Sequence, residues 1–112
     1  MEVEVRIQGI DLSDMVRNYA ARRMHFTLGR FASRVGRVVI RISDVNGTRG
    51  GVDQCCRISA ELLPSGKVVL EQTDADLFTA IDRAAERVGQ AFRREIQRLR
   101  DAHTRSGPVR VP

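Results

Sequence analysis

The chain has 112 residues, enough for one domain that buries a core without disulfides or metals. Apolar residues at 42% and charged residues at 29% exclude a disordered chain, while 4% aromatic residues and no Trp predict an aliphatic core. The formal net charge of +5 comes from 18 Arg and one Lys. Guanidinium groups suit phosphates and bases, so this excess is typical of RNA binding, although a GC-rich genome also favours Arg over Lys.

The two cysteines, Cys55 and Cys56, are adjacent in a segment with strand character. Neighbouring residues of a strand point to opposite faces, so a disulfide between them is geometrically poor and reduced thiols are expected. The N-terminus has no basic start followed by a long apolar run, and no stretch approaches a membrane span. These features predict a cytoplasmic protein without membrane contact.

Alternation of apolar and polar residues predicts four strands. In the third strand, Cys56 belongs to the inward apolar set and Cys55 to the outward set. The segment LPSGK predicts a tight turn before the fourth strand. The strands cover residues 2–8, 36–45, 54–62 and 68–73.

Apolar residues at intervals of three and four predict two helices. The first covers residues 13–31 and is capped by Ser13 or Asp11. The second covers residues 74–100 and is capped by Asp74. The inward positions are Val16, Ala20, Met24, Leu28 and Phe31 in the first helix, and Leu77, Ile81, Ala84, Val88, Phe92 and Leu99 in the second.

The predicted order is β-α-β-β-β-α, which indicates an α+β fold with a four-stranded sheet and both helices on one face. We expect a single domain over residues 1–100 and a flexible tail over residues 101–112, which lack a period and contain Pro and Gly. The opposite face of the sheet would be solvated and of mixed charge, with Glu4, Arg6, Arg41, Arg57 and Glu61.

The segment NGTRGGVDQCC, between the second and third strands, is the richest in chemical groups. A phosphate-binding loop is excluded because no Gly-Lys-Ser/Thr follows. DVNG resembles the opening of a calcium loop but lacks its downstream acidic ligand, so no metal is expected. The segment is best interpreted as a wide hairpin turn, with Arg49 at its tip.

Positive charge is concentrated between Met15 and Ser43, which contain seven arginines and no acidic residue. Two sets of arginines lie off the apolar stripes and would face solvent or an RNA. With both helices on one face of the sheet, they could form one continuous basic groove or ridge. The alternative is that Asp82, Glu86 and Glu95 neutralise the second set through pairs within its own helix. The sets are Arg22, Arg23 and Arg30 in the first helix, and Arg83, Arg87, Arg94 and Arg98 in the second.

Catalytic groups are scarce. The two histidines, His25 and His103, have no candidate partner for nucleophilic or acid–base catalysis. We therefore expect neither an enzyme nor a cofactor nor a small-molecule substrate.

Three segments resemble the family of ribosome hibernation-promoting factors and ribosome-associated translation inhibitors, also called sigma-54 modulation proteins. DLFTAID, at Asp76 to Asp82, is similar to the family's motif at the start of its second helix. LSDMVRNYAARRM and RVVIRIS are similar to its first helix and second strand. The resemblance covers residues 1–95.

This resemblance implies a protein that binds the small ribosomal subunit and its ribosomal RNA in the channel for mRNA and tRNA, and silences translation under stress. It implies RNA contacts for Arg22 and Arg23 in the first helix and for Arg87 and Arg94 in the second. The domain through which longer members pair ribosomes is not found, so no dimerisation of that kind is expected. The long loop after the second strand departs from the family pattern.

Two other functions fit the same features. One is a general module for structured RNA, which would recognise an A-form groove by shape. The other is a protein-interaction module that uses the long hairpin between the second and third strands. Arg49, at the tip of that hairpin, is a candidate for one additional RNA contact.

Overall fold

The computed structural model describes residues 1–8, 13–46 and 52–106. The order of elements is β-α-β-β-β-α, and the predicted α+β fold is confirmed. The strands are β1 (Glu2–Gln8), β2 (Val35–Asn46), β3 (Val52–Leu62) and β4 (Lys67–Asp74), and the helices are α1 (Ser13–Leu28) and α2 (Leu77–Ser106).

The four strands form one sheet in the order β1-β2-β3-β4. The pair β1 and β2 is parallel, and the two following pairs are antiparallel. Val5, Ile40, Ile58 and Leu70 lie opposite one another across the sheet and form an apolar row. The next residues along the strands form a second row on the other face, which is Arg6, Arg41, Arg57 and Glu71.

Both helices pack on the apolar face of the sheet, as predicted. The α1 helix contacts β1, and α2 contacts β3 and β4. Apolar residues alternate along each strand and recur every turn along each helix, so all six elements contribute to one mainly aliphatic core. Its largest fully buried side chains include Phe92, Met24, Leu28, Ile40, Ile42, Ile58 and Ile81.

The end of α1 differs from the prediction. The α-helix stops at Leu28, and residues Gly29–Arg34 form a 3-10 segment in which Phe31 leaves helical geometry. Gly29 has low helix propensity, which favours a change of conformation at this point. Phe31 still packs on the core, because its ring stacks on Phe92 with centroids 6.0 Å apart.

The start of α2 is capped by Asp76, not by Asp74 as predicted. Asp76 Oδ2 accepts hydrogen bonds from the backbone N–H and the hydroxyl of Thr79, both at 2.8 Å. These bonds lower the pKa of Asp76. Asp74 Oδ1 instead accepts the backbone N–H of Asp76 at 3.0 Å.

The end of α2 also differs, because the helix continues to Ser106, six residues beyond the predicted limit. Its last turns are polar, so the apolar period that marked the helix in the sequence is lost while the backbone remains helical. Residues 107–112 of the predicted tail lie outside the described residues.

In the hairpin between β2 and β3, both strands extend further than predicted, and the segment that joins them is correspondingly shorter. Strand pairing continues to Asn46 and Val52, which lie opposite each other. Residues 47–51, including Arg49, lie outside the described residues. Between β3 and β4, Gly66 has φ of 115°, a conformation that favours glycine, and its carbonyl accepts the N–H of Leu62 at 3.0 Å.

Candidate nucleic-acid interface

A groove lies at the surface where α1 and α2 meet. The helices approach closely because Gly89 of α2 has no side chain: a Cβ at this position would lie 2.6 Å from Cγ2 of Thr27 on α1. Three arginines and one glutamate lie in the groove, so its charge is positive. The lining consists of Arg23, Phe26, Thr27, Arg30, Phe31, Glu86, Gly89, Gln90 and Arg93.

Arg23 is held in place by groups of both helices. Its Nε lies 3.1 Å from Asp82 Oδ1 on α2, and its guanidinium carbon lies 5.8 Å from the centre of the Phe26 ring. Within the described part of the chain, this Nε has no aligned hydrogen-bond acceptor, so the contact with Asp82 is an ion pair without a hydrogen bond. Arg23 is therefore a structural link between the helices as well as a cation at the groove.

Arg22 and Arg30 are more available to a ligand. Both are exposed, and neither forms an ion pair with any residue that the structure describes. The guanidinium of Arg30 lies 5.7 Å from the centre of the Phe31 ring, which also stacks on the buried Phe92. Stacking of this kind leaves the N–H donors of an arginine free for an anion.

Arg93 belongs to the groove but was not among the arginines selected from the sequence. It lies four residues after Gly89, on the side of α2 that faces α1. A glycine within an apolar helix stripe is a sign of close helix approach, and this signal could have drawn attention to the residue one turn later. The spacing within α2 alone favoured a different set of arginines.

Two of the four arginines selected in α2 contact β4. Arg87 Nη1 donates hydrogen bonds to the Glu71 carbonyl at 2.9 Å and to Gln72 Oε1 at 2.8 Å. Arg83 Nε lies 4.0 Å from Asp74 Oδ2, at the end of β4. The second set of arginines, on α2, and the first set, on α1, therefore do not form the single groove that the sequence suggested.

The remaining two arginines of the second set, Arg94 and Arg98, follow Arg87 at helical spacing and are exposed. Arg98 pairs with Glu95 at 2.8 Å, one turn earlier in the same helix. The predicted neutralisation within α2 is thus found for this pair, whereas Asp82 pairs with Arg23 of α1.

Comparison with known protein families decides the membership of the chain. Residues 3–100 match the family described as "Sigma 54 modulation protein / S30EA ribosomal protein". The chain belongs to this family. The resemblance in its sequence is thereby confirmed over nearly the whole length of the domain.

Solved structures show the same fold as this S30EA family member. The N-terminal domain of Protein Y from Thermus thermophilus is 24% identical, with a TM-score of 0.67 over 84% of this chain and 98% of that one. A ribosomal subunit interface protein from Coxiella burnetii is 13% identical, with a TM-score of 0.70 over 87% of this chain and 99% of that one. The search of curated proteins found no match.

The open face of the sheet carries a second group of charges. Glu4 accepts hydrogen bonds from Arg6, at 2.6 Å, and from Arg37, and these bonds lower the pKa of Glu4 to about 2. Arg41 and Arg57 are exposed and lie opposite each other on β2 and β3. Neither forms an ion pair with a residue in the described ranges, so this face also presents unpaired positive charge.

The two cysteines lie on opposite faces, as predicted. Cys56 is fully buried in the core, and burial raises the pKa of its thiol to about 12. Cys55 is 7% exposed, and its Sγ lies 3.4 Å from Glu71 Oε2. Burial and this carboxylate raise the pKa of Cys55 as well, so both side chains remain protonated thiols near neutral pH.

The described residues offer no other chemical centre. Within residues 1–8, 13–46 and 52–106, no group of three His, Cys, Asp or Glu side chains is arranged to hold a metal ion. No helix in these ranges is long and apolar enough to cross a membrane.

Proposed function

We propose that this S30EA family member binds the small ribosomal subunit through the basic surface of α1 and α2, and inhibits translation by occupying the channel for mRNA and tRNA. The observation that carries the proposal is the groove between the helices, where Arg30 and Arg93 are exposed and Arg23 is held by Asp82. The name of the Coxiella burnetii neighbour, a ribosomal subunit interface protein, is consistent with this location.

Inhibition would result from occupancy and not from catalysis. The groove contains cations, aromatic rings and one carboxylate, an arrangement that suits phosphate oxygens and bases. The partner would be ribosomal RNA in the cytoplasm, and the chain would silence translation under stress. Among the predicted RNA contacts, Arg22 and Arg30 are the strongest candidates because they are exposed and unpaired among the described residues.

Arg83, Arg87, Arg94 and Arg98 would form a separate line of contacts along α2. Arg87 is the least available of them, because it already donates to two acceptors of β4. Arg49 lies outside the described residues and remains a sequence-based candidate.

Sedimentation with purified small subunits tests the proposal. The variant Arg22→Glu/Arg30→Glu should lose binding at an ionic strength where the unchanged protein co-sediments, because two attractive phosphate contacts become repulsive. Arg23 is left unchanged, since its loss would also break the ion pair with Asp82. For the unchanged protein, affinity should fall steeply as salt is increased.

A matched control is available on the other face of the sheet. Arg41→Glu/Arg57→Glu changes the net charge by the same amount at two exposed positions. This control should co-sediment nearly as well as the unchanged protein. Equal loss in both variants would show that only net charge matters, and no loss in the helix variant would refute the proposed surface.

A general function in structured RNA binding is tested by competition. Free duplex RNA at equal RNA mass should not displace the protein from small subunits if the subunit is the preferred partner. Displacement at equal RNA mass would favour the general function.

A further inference from the structure

Phe26 is the most exposed large apolar side chain in the described part of the chain, with 79% of its surface accessible. It lies on α1, two residues before the helix ends, and points away from the core. Single exposed apolar residues are common on protein surfaces, so exposure alone implies nothing. The surroundings of this ring are what distinguish it.

Two clefts flank Phe26. On one side is the groove between the helices, which contains Arg30 and Arg93. On the other side is a cleft formed by Tyr19, Arg22, Arg23 and Phe26 itself. The guanidinium of Arg23 lies 5.8 Å from the centre of the Phe26 ring. An accessible aromatic ring is thus surrounded by cations that belong to both clefts.

Neighbours of this kind favour a nucleic acid over a protein partner. A protein that covered Phe26 would also remove Arg22 and Arg30 from water, which is unfavourable unless each gains an acidic partner. An unpaired nucleotide offers both groups at once, a flat base for the ring and phosphates for the guanidinium groups. Single-stranded RNA commonly binds proteins through such stacked bases.

We infer that Phe26 is a stacking site for an unpaired base of RNA, with Arg22 and Arg30 on the phosphates at either side. This inference rests on the proposed function and makes it more specific, because it requires a single-stranded or unstacked segment of the ribosomal RNA. It also assigns a different role to each side chain: the arginines attract the backbone, and the ring holds a base.

The absence of Trp from the sequence gives a direct assay. The variant Phe26→Trp has a single indole, whose fluorescence a stacked base should quench. Titration with an unstructured single-stranded RNA should quench this emission, whereas inorganic polyphosphate should bind without comparable quenching. Quenching by both ligands to the same extent would overturn the inference.

Met15→Trp is the matched control for this titration. Met15 is 56% exposed on the same helix, eleven residues earlier and therefore about 16 Å away along the helix axis. Its substituted indole should show little quenching with the same RNA. Equal quenching at positions 15 and 26 would indicate non-specific contact and would overturn the assignment.

Affinity gives a second measurement. Phe26→Ala should weaken binding of the single-stranded RNA by roughly fivefold to a hundredfold, the range measured for loss of one stacked base. Its affinity for polyphosphate should be unchanged, and Phe26→Tyr should restore RNA binding. The side chain is exposed, so the alanine variant should fold normally, and circular dichroism checks this.

The outcomes separate this inference from the proposed function. If the unchanged protein binds small subunits, and Phe26→Ala binds both subunits and RNA as tightly as the unchanged protein does, the stacking site is wrong and the proposed function stands. If Phe26→Ala loses subunit binding alone, the ring contacts a ribosomal protein and the inference fails. If stacking on RNA is observed but the unchanged protein does not bind subunits, the proposed function fails.

Discussion

The hydroxyl of Tyr19 on α1 and the carboxylate of Asp82 on α2 form a hydrogen bond between residues that are 63 positions apart. The same oxygen, Asp82 Oδ1, lies 3.1 Å from Nε of Arg23. The Tyr19 ring also meets Phe78 edge-on, with centroids 4.9 Å apart. This cluster fixes the position of α1 relative to α2, and it lies directly beside the groove.

Removal of Asp82 should therefore destabilise the contact between the helices. We expect Asp82→Ala to lower the free energy of unfolding by about 2 kcal/mol, because the Tyr19 hydroxyl and Arg23 both lose their partner. Tyr19→Phe should cost less, about 1 kcal/mol, since Asp82 keeps its ion pair. Urea denaturation measures both changes, and the double variant should be less destabilised than the sum.

Glu86→Ala is the control for this prediction. Glu86 is exposed on the same helix, one turn after Asp82, and forms no hydrogen bond or ion pair with the residues that the structure describes. Its loss should change stability by less than about 0.5 kcal/mol. Equal effects at positions 82 and 86 would contradict the role of the cluster.

The close approach of Gly89 and Thr27 gives a second prediction. Alanine is normally favoured over glycine within a helix by about 1 kcal/mol. Here the added Cβ would lie 2.6 Å from Thr27 Cγ2, and such overpacking typically costs about 1 to 3 kcal/mol. Gly89→Ala should therefore lower stability by about 1 kcal/mol in urea denaturation.

Thr27→Ala should reverse that effect. The substitution removes the atom that a Cβ at position 89 would meet, so the double variant should be at least as stable as the unchanged protein. Persistent destabilisation in the double variant would contradict this explanation, because the Thr27 carbonyl oxygen, 3.9 Å from that Cβ, is at ordinary van der Waals distance.

A third prediction concerns Arg41, which lies between Arg6 and Arg57 across the sheet. Like charges directly opposite on neighbouring strands are destabilising by roughly 0.2 to 1 kcal/mol. Arg41→Thr should raise the free energy of unfolding by an amount in this range at low salt, and the gain should shrink at 1 M salt. Arg37→Thr, which loses the contact with Glu4, should instead be destabilising.

A fourth prediction is an acid dependence that involves Glu4. Hydrogen bonds from Arg6 and Arg37 lower its pKa from 4.5 to about 2 in the folded protein. The stabilisation is therefore fully present above pH 4.5 and is lost as the pH falls toward 2. In chemical denaturation between pH 6 and pH 2, Glu4→Gln should lose less stability than the unchanged protein. Parallel curves for the two proteins would contradict the prediction.

Most of the fold could be predicted because its signals are local. The inward residues of β2 and β3, such as Ile40 and Ile58, follow from alternation within each strand. The helices follow from apolar residues that recur once per turn. Their ends were less predictable: Asp74 and Asp76 both suit a cap, and only the geometry of the Thr79 contacts distinguishes them.

The candidate site was predicted in part. Arg22, Arg23 and Arg30 were identified from the charge pattern, and the structure places Arg23 and Arg30 in the groove. Arg93 was missed because the side of α2 that faces α1 depends on how the two helices pack. The same dependence explains why Arg87, selected for its regular spacing, contacts β4 instead.

The sequence by itself determined the order of elements, the apolar faces, the excess of arginine and the resemblance to the S30EA family. Each of these depends on the type and spacing of residues that are near one another in the chain. The tertiary structure alone decided which arginines share a surface. That depends on the rotation and separation of two helices, which are set by contacts distant in sequence, between Gly89 and Thr27 and between Tyr19 and Asp82.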